Sequence, residues 1–116
     1  MNIIGISCYY HDSAACLLQN GVIQEAIQEE RFSRIKHDSN FPLHSINYIF
    51  NKYNLALNEI DFFVFYEKPF LKFERLLETY VAKAPAGFLS FKTSMPIWLR
   101  DKLFQKKLII DKLKKF

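Results

Sequence analysis

The dipeptide Asn20-Gly21 separates two apolar stretches near the start of the chain. Asn-Gly in this setting is the strongest short-range signal for a β-hairpin, because both central residues of a type I′ turn need a positive φ. Apolar residues dominate 2–8 and 13–18, and residues 22–28 mix apolar with polar side chains. The pattern predicts three consecutive antiparallel strands over these ranges, with the first strand central and covered on both faces.

A polar segment, His11-Asp12-Ser13, interrupts the apolar sequence between the first two predicted strands. Loops that a rigid sheet holds in place often carry binding and catalytic groups. Asp and Ser side chains also form turns by bonding to their own backbone, and a histidine beside Tyr9 and Tyr10 is often simply packed. From these residues alone, the structural interpretation is favoured over a ligand site.

The charge is divided unevenly along the 116 residues. Residues 1–67 carry a net charge of −4, and residues 68–116 carry a net charge of +8. Half of the residues are apolar, which excludes a disordered tail, and the length suits one domain better than two. We therefore expect one domain with two differently used segments, 1–67 and 68–116.

Cys8 and Cys16 lack the C-x-x-C spacing that is typical of zinc and redox sites. They fit buried free thiols, and a disulfide stays open for an oxidising compartment. No stretch approaches the roughly 18 apolar residues of a membrane span, and nothing after Met1 resembles a secretory signal. We expect a cytoplasmic protein with no transmembrane segment.

Residues 29–38 form a dense run of charged side chains after the third predicted strand. In one interpretation the run is a solvated loop in which glutamates and arginines pair with each other. In the other, Arg31, Arg34 and Lys36 clamp an anion, because guanidinium and ammonium groups bind phosphate and carboxylate. The residues favour neither interpretation.

Asn40-Phe41-Pro42 indicates the start of a helix, with Asn40 or Phe41 at the cap and Pro42 in the first turn. The buried stripe of this helix is expected to contain Leu43, Ile46, Ile49, Phe50 and Tyr53. His44 is expected at the surface beside that stripe. Residues 62–66 fit a short buried strand, and the order of elements predicts an α/β fold in which this strand runs parallel to the first.

The basic second half has a helical pattern with breaks. We expect a helix over 70–83, an interruption at 84–87 and a basic helix over 97–116. The apolar side of that last helix would contain Leu99, Leu103, Ile110 and Leu113. Such a helix suits a membrane surface or nucleic acid, although packing of its apolar side against a neighbour is the simpler interpretation.

The succession of motifs resembles the amino terminus of the ATP-dependent O-carbamoyltransferases, the family of the nodulation-factor, cephamycin and tobramycin carbamoyltransferases. The resemblance rests on H-D-S-A-A at 11–15 and on E-E-R-F-S-R-I-K-H-D at 29–38. It extends through Y-E-K-P at 66–69 and K-F-E-R at 72–75. It therefore covers essentially the whole chain.

The resemblance implies an incomplete actin/sugar-kinase-like (ribonuclease H-like) lobe in a biosynthetic enzyme several times longer than this chain. Such an enzyme makes carbamoyl adenylate from carbamoyl phosphate and ATP, and transfers the carbamoyl group to a hydroxyl of a small-molecule acceptor. A divalent metal, iron in the best-understood case, would be bound by residues beyond this chain. We expect the chain to need the remaining domains or a partner subunit, to be inactive alone, and to bind no nucleic acid.

The resemblance also implies roles for particular residues. His11 and Asp12 would be catalytic, with His11 orienting or deprotonating the acceptor hydroxyl. A second group would contact substrate or nucleotide, with Lys36 or Arg31 offsetting charge on the leaving group, and comprises Ser13, Arg31, Arg34, Lys36 and His37. No metal ligand is expected within the chain. The alternative is a non-catalytic binding module that uses the basic carboxyl-terminal helix to hold a partner protein, a membrane surface or nucleic acid.

Overall fold

The computed structural model describes residues 1–100 and 104–116. The chain divides into two compact units, Met1–Tyr66 and Glu67–Phe116, and each is described by itself. The first unit contains a sheet and the helix that covers it, and the second is helical.

Three antiparallel strands begin the first unit, as the sequence predicts. Strand β1 spans Asn2–Ser7, β2 spans Ala14–Gln19 and β3 spans Val22–Gln28. The tight turn places Gln19 opposite Val22 and holds Asn20 at φ 50° and Gly21 at φ 83°. Both values are positive, as the Asn-Gly signal predicts, and the turn fixes the register of the pairs next to it. The register shifts between Leu17 and Leu18, farther along β2.

A crossover returns the chain to the sheet beside β1. It contains the short helix α1, Glu30–Ser33, the longer helix α2, Leu43–Tyr53, and a 3₁₀ turn, Leu57–Glu59. Strand β4, Phe62–Phe65, then pairs in parallel with β1, which confirms the predicted direction. The strand order is β3-β2-β1-β4, so β1 is central.

The core of this unit lies on one face of the sheet. Ile4 and Ile6 of β1 are buried, as are their register partners Leu17 and Ala15 of β2. Helix α2 contacts β2 and β3 and adds its own buried side chains, Ser45, Ile46, Ile49 and Phe50. The predicted stripe is therefore confirmed at its centre, whereas Leu43 at one end is 38% exposed.

The opposite face of the sheet is more open than we expected. Burial alternates along β1, with Ile4 and Ile6 buried and their neighbours half-buried, so the expected cover on both faces is wrong for this strand. Strand β4 was expected to be buried, yet Phe62 is 58% and Val64 is 51% exposed. A continuous apolar run in the sequence does not distinguish these two environments.

Gly5 of β1 lies opposite Cys16 of β2. A Cβ atom added at Gly5 would lie 2.7 Å from Cys16 Sγ, closer than such atoms approach in proteins. The glycine therefore leaves room for a neighbouring side chain. Cys8 and Cys16, both among the described residues, do not form a disulfide, and Cys8 is buried.

Glu29 caps α2 from the end of β3. Its side chain is almost fully buried and accepts hydrogen bonds from the backbone N–H of His44 at 3.0 Å and of Ser45 at 2.9 Å. The Ser45 hydroxyl donates to it at 2.7 Å, and His44 Nδ1 lies 2.6 Å away. Pro42 precedes the helix and gives no side-chain cap, so the predicted local cap is wrong. A distant carboxylate takes that role.

Two opposing effects act on the Glu29 carboxyl. Burial is the largest single effect and raises its pKa, whereas hydrogen bonds from Ser45 and His44 favour the charged form. Together the hydrogen bonds outweigh burial and hold the pKa of Glu29 below its ordinary value.

The second unit contains three described helices. Helix α3 spans Pro69–Lys83, and the predicted break is present as a cis Ala84-Pro85 bond and a left-handed Gly87. Helix α4, Phe88–Trp98, was not predicted, and it continues through Pro96. Helix α5 spans Gln105–Leu113, so the single basic helix expected over 97–116 is wrong.

The expected apolar side of the last helix is confirmed at Leu113 and wrong at Ile110. Ile109 and Leu113 are buried together with Gln105, whereas Ile110 is 42% exposed. Leu103 lies outside the described residues. No helix among the described residues combines the length and apolar character needed to cross a membrane.

We predict that Glu29→Gln lowers the free energy of unfolding by about 2–3 kcal/mol at pH 7. In glutamine one carboxylate oxygen becomes an NH₂ donor, which leaves the N–H of either His44 or Ser45 without an acceptor, and the hydrogen bond that remains is no longer charge-assisted. Urea unfolding measures the change. Glu78→Gln on α3 is the matched control, because Glu78 is exposed, and its effect should stay within about 0.5 kcal/mol.

The difference in the free energy of unfolding between the wild-type and Glu29→Gln proteins should disappear in acid. Because the pKa of folded Glu29 is lowered, its stabilisation is present above the unfolded glutamate value of about 4.3 and is lost as the pH falls through the folded pKa. The difference in stability between the wild-type and Glu29→Gln proteins should therefore be present at pH 7 and lost at an acidic pH below the folded pKa of Glu29. A difference of equal size at both pH values would contradict the cap.

We predict that Gly5→Ala destabilises the protein by about 1–3 kcal/mol because the new methyl group overlaps Cys16 Sγ. In a Cys16→Ala background the same change should be neutral or slightly stabilising, since alanine restricts the unfolded chain more than glycine does. Urea unfolding of the four proteins gives the coupling energy. An equal cost in both backgrounds would show that Cys16 is not the obstacle.

Candidate functional site

The candidate site is the bend between β1 and β2, residues 8–13. Tyr9 and Asp12 have positive φ values of 65° and 52°, so the chain turns sharply at both positions. The Tyr9 N–H donates to the Ser39 carbonyl at 2.7 Å, and the Ser13 N–H donates to the Asp38 carbonyl at 2.8 Å. These bonds attach the bend to the segment that precedes α2.

Glu29 attaches the same bend to the end of β3. Its N–H donates to the Ser13 carbonyl at 2.8 Å, while its carboxylate caps α2. One residue therefore connects three parts of the unit. The backbone of the bend is held from two sides, and its exposed side chains project from a rigid support.

Asp12 lies between two histidine rings. Its Oδ2 is 2.8 Å from His11 Nδ1, and its Oδ1 is 2.9 Å from His37 Nδ1. Both imidazoles are exposed, and the His11 ring also contacts the Tyr10 ring, with centroids 4.3 Å apart. The structure thus brings together three of the predicted site residues, including two that are 25 positions apart in sequence.

These contacts shift the protonation of Asp12 and His37 in opposite directions. Hydrogen bonds first from His37 and then from His11 lower the pKa of Asp12. The hydrogen bond to Asp12 raises the pKa of His37, and the charge of Asp12 adds to the effect. The charged forms of both groups are therefore favoured over a wider pH range than usual.

Ser13 is placed differently from the other predicted ligand contacts. It is 1% exposed, and its hydroxyl has no hydrogen-bond partner among the described residues. The backbone of Ser13 joins the bend to Asp38 and Glu29, as described above. Its side chain faces the interior, where direct contact with a ligand would require the bend to open.

The basic side chains of Arg31, Arg34 and Lys36 are exposed. None of them forms an ion pair with another described residue, and no side-chain hydrogen bond joins them to His11 or Asp12. The first interpretation of this run, pairing between glutamates and arginines, is wrong for both glutamates. Glu29 caps α2, and Glu30 accepts the His37 backbone N–H at 3.1 Å.

Two buried acidic residues support the site without having been predicted there. Glu29 is one, and Asp38 is the other, at 4% exposure. A hydrogen bond from Ser33 is the main reason that the pKa of Asp38 is lowered, and Asn40 donates to it from its backbone and its side chain. The short D-S-N sequence is a signal for the Asn40 contact, because Asp commonly bonds the backbone two residues later.

Three side chains near the bend are of types that can bind a metal ion. Ligand atoms of Asp12, Glu30 and His37 lie within 4.8 Å of one another. Asp12 and Glu30 already accept hydrogen bonds, from the ring and from the backbone N–H of His37 respectively. Exposed acidic groups are common without an ion, so this grouping by itself assigns no metal.

A shallow pocket of about 300 Å³ lies on the open face of the sheet, next to the bend. Ser7 and Ala14, the residues at which β1 ends and β2 begins, both line it. Small side chains leave the space, and the larger residues at its edge are Val64 and Tyr66. It lies at the carboxyl ends of the parallel strands β1 and β4, where ligands commonly bind in α/β sheets.

Comparison with known proteins gives relatives of greater length. The chain is 56% identical over 105 residues to the uncharacterized protein sll1178 of Synechocystis, covering 90% of this chain and 17% of that protein. It is 38% identical over 58 residues to the nodulation protein NolNO of Sinorhizobium fredii, covering 50% of this chain and 8% of that protein. It is 34% identical over 58 residues to an uncharacterized 19.2 kDa protein of Rhizobium etli, covering 50% of this chain and 34% of that protein.

A family model also matches nearly the whole sequence. The model is described as the carbamoyltransferase N-terminus, and it aligns with residues 2–115. The match contains every residue of the bend and all of both compact units except Met1 and Phe116. The chain therefore belongs to the carbamoyltransferase family.

Proposed function

We propose that this chain is the amino-terminal part of an O-carbamoyltransferase. The enzyme would take the carbamoyl group of carbamoyl phosphate, activate it with ATP as carbamoyl adenylate, and transfer it to a hydroxyl of a small-molecule acceptor. Family membership supports the transferase class. The observation that carries the site is the contact of 2.8 Å between His11 Nδ1 and Asp12, which leaves His11 Nε2 available at the surface.

His11 would act as the general base of the transfer step. Asp12 accepts the Nδ1–H, so the neutral ring keeps its lone pair on Nε2, where it takes the proton of the acceptor hydroxyl. The hydroxyl oxygen then bonds to the carbamoyl carbon. The bond from that carbon to the adenylate oxygen breaks, and AMP leaves with the electron pair.

The exposed cations of residues 31–36 would stabilise the phosphate groups in this reaction. Negative charge grows on the leaving phosphate oxygen as its bond to carbon breaks, and a cation at this point lowers the barrier. Arg31, Arg34 and Lys36 have no ion-pair partner among the described residues, so their charge is available to an anion. Their free state supports the anion-clamp interpretation over internal pairing.

The remaining parts of the active enzyme would come from outside this chain. The chain spans 17% and 8% of the first two relatives, which supports a need for further residues to bind ATP and a divalent metal such as iron. The antiparallel hairpin followed by a parallel crossover strand supports an incomplete lobe of the actin/sugar-kinase type. We propose that the 116 residues alone do not turn over, and that the enzyme works in the cytoplasm.

The binding-module alternative has less support. Exposed lysines on α5 fit an anionic partner, but the apolar residues Ile109 and Leu113 of that helix are buried rather than presented to one. Binding to anionic lipid or nucleic acid that disappears with added salt would favour this alternative.

We predict that His11→Ala in the full-length protein slows carbamoyl transfer by roughly 10²- to 10⁴-fold, the usual contribution of a general base. Transfer is measured with radiolabelled carbamoyl phosphate, ATP and a panel of hydroxyl-bearing sugars and aminoglycosides. Formation of carbamoyl adenylate, which is measured as pyrophosphate release, should continue, because the base acts after activation.

His44→Ala serves as the control for that experiment. His44 is also an exposed histidine, but its ring lies at the start of α2 and contacts Glu29 rather than Asp12. It should alter thermal stability more than transfer. Unchanged turnover in His11→Ala would remove His11 from the mechanism, and loss of pyrophosphate release in His11→Ala would place the defect in activation instead.

A further inference from the structure

We propose that His37 is a positioning residue that acts through Asp12 on His11. The proposal deepens the assignment of His11 as general base and rests on it for its catalytic consequence. It also replaces the expectation that His37 contacts substrate or nucleotide. The juxtaposition that carries it is one carboxylate with a different imidazole at each of its two oxygens.

The two contacts have equivalent geometry. His37 Nδ1 is 2.9 Å from Asp12 Oδ1, and His11 Nδ1 is 2.8 Å from Asp12 Oδ2. If only His11 contacted the carboxylate, the Asp12 side chain could rotate about its bond to Cβ, and the contact with His11 could then be lost. With both oxygens occupied, the plane of the Asp12 carboxylate is fixed, and so is the direction from which it holds His11.

Surface position makes this second contact necessary. The Asp12 side chain is 35% exposed, and the rings of His11 and His37 are 59% and 63% exposed. Packing therefore does little to restrain the three side chains. Hydrogen bonds must supply the order that burial supplies in an enclosed site.

His37 is itself restrained. Its backbone N–H donates to Glu30 Oε2 at 3.1 Å, and its φ of 56° turns the chain toward the bend. The charged groups that act on its ring are Asp12 and Glu30, both negative, and both raise the pKa of His37. A partly or fully protonated ring keeps a donor on Nδ1 and so maintains the contact with Asp12.

The arrangement selects one tautomer of His11. A neutral imidazole has one N–H, and the nitrogen that carries it is set by the hydrogen bond that this nitrogen makes. With a fixed Asp12 as acceptor, the proton of His11 stays on Nδ1. A mobile Asp12 would allow the proton to move to Nε2, where it would block proton abstraction.

Two variants of His37 test the proposal, and their new side chains, asparagine and aspartate, have the same shape as each other. Asparagine places an amide N–H where His37 has Nδ1, whereas aspartate of the same shape has no donor at neutral pH. Both tolerate the positive φ at this position. His37→Asn should therefore keep the contact with Asp12, and His37→Asp should remove it.

The readout is the ¹⁵N NMR spectrum of the His11 ring in protein labelled at histidine, with His11→Gln used to assign its signals. In the wild-type and His37→Asn proteins, neutral His11 should be protonated at Nδ1. In His37→Asp the two nitrogens should move toward the values of exchanging tautomers. In the full-length enzyme, His37→Asp should lower kcat for transfer roughly 10- to 100-fold with KM unchanged, and His37→Asn should retain most of the activity.

Two results would overturn the proposal. Neutral wild-type His11 protonated mainly at Nε2 would do so without any variant, even if His37→Asp failed to fold. An unchanged His11 spectrum in folded His37→Asp would do so as well. These measurements need no turnover. A failure of the carbamoyl-transfer assignment would appear as no transfer by the wild-type full-length protein, and a failure of the general-base role as unchanged transfer in His11→Ala, so both are distinguishable from a failure of the His37 contact.

Discussion

The buried carboxylate of Glu29 at the start of α2 is the interaction on which the first unit depends. A helix begins with N–H groups that have no partner within the helix, and Pro42 has no side chain able to satisfy them. A buried charge is costly unless several donors surround it. Here His44 and Ser45 provide the donors that the buried carboxylate needs, and Glu29 provides the acceptor that the first N–H groups of the helix need. The backbone N–H of the same residue reaches the Ser13 carbonyl, so the helix, the end of β3 and the bend form one connected structure.

This connection explains how an exposed bend can carry an ordered set of side chains. Tyr9 and Asp12 occupy left-handed conformations that non-glycine residues seldom adopt, and bonds to Ser39, Asp38 and Glu29 hold the backbone there. Asp12 is thereby directed toward His37, which has its own positive φ. The order in the site thus comes from backbone hydrogen bonds below it and side-chain hydrogen bonds within it, rather than from burial.

Local signals in the sequence predicted those parts of the fold that depend on local physics. Asn20-Gly21 set the hairpin, and the spacing of Ile46, Ile49 and Phe50 set the buried side of α2. Interactions between distant residues were not predictable in this way. Nothing near Glu29 indicates that its partner lies 15 residues later, and the run of charges around it fits a solvated loop and an anion clamp equally well. The motif match placed Asp12 and His37 in one site, but their direct contact needed the structure. Proline inside a helix removes a backbone hydrogen bond, yet α4 continues through Pro96.

The open face of the sheet gives the bend a second surface beside the polar one. Gly5 is small because Cys16 occupies the space opposite it, and the resulting shallow pocket extends to Ser7 and Ala14 at the two ends of the bend. A larger side chain at Gly5 would both strain the β1–β2 pair and fill the pocket. The need for a glycine opposite Cys16 therefore also keeps a small apolar surface open next to the bend that carries His11 and Asp12. Polar groups on a bend and an apolar surface beside them are the two elements from which most small-molecule sites are built.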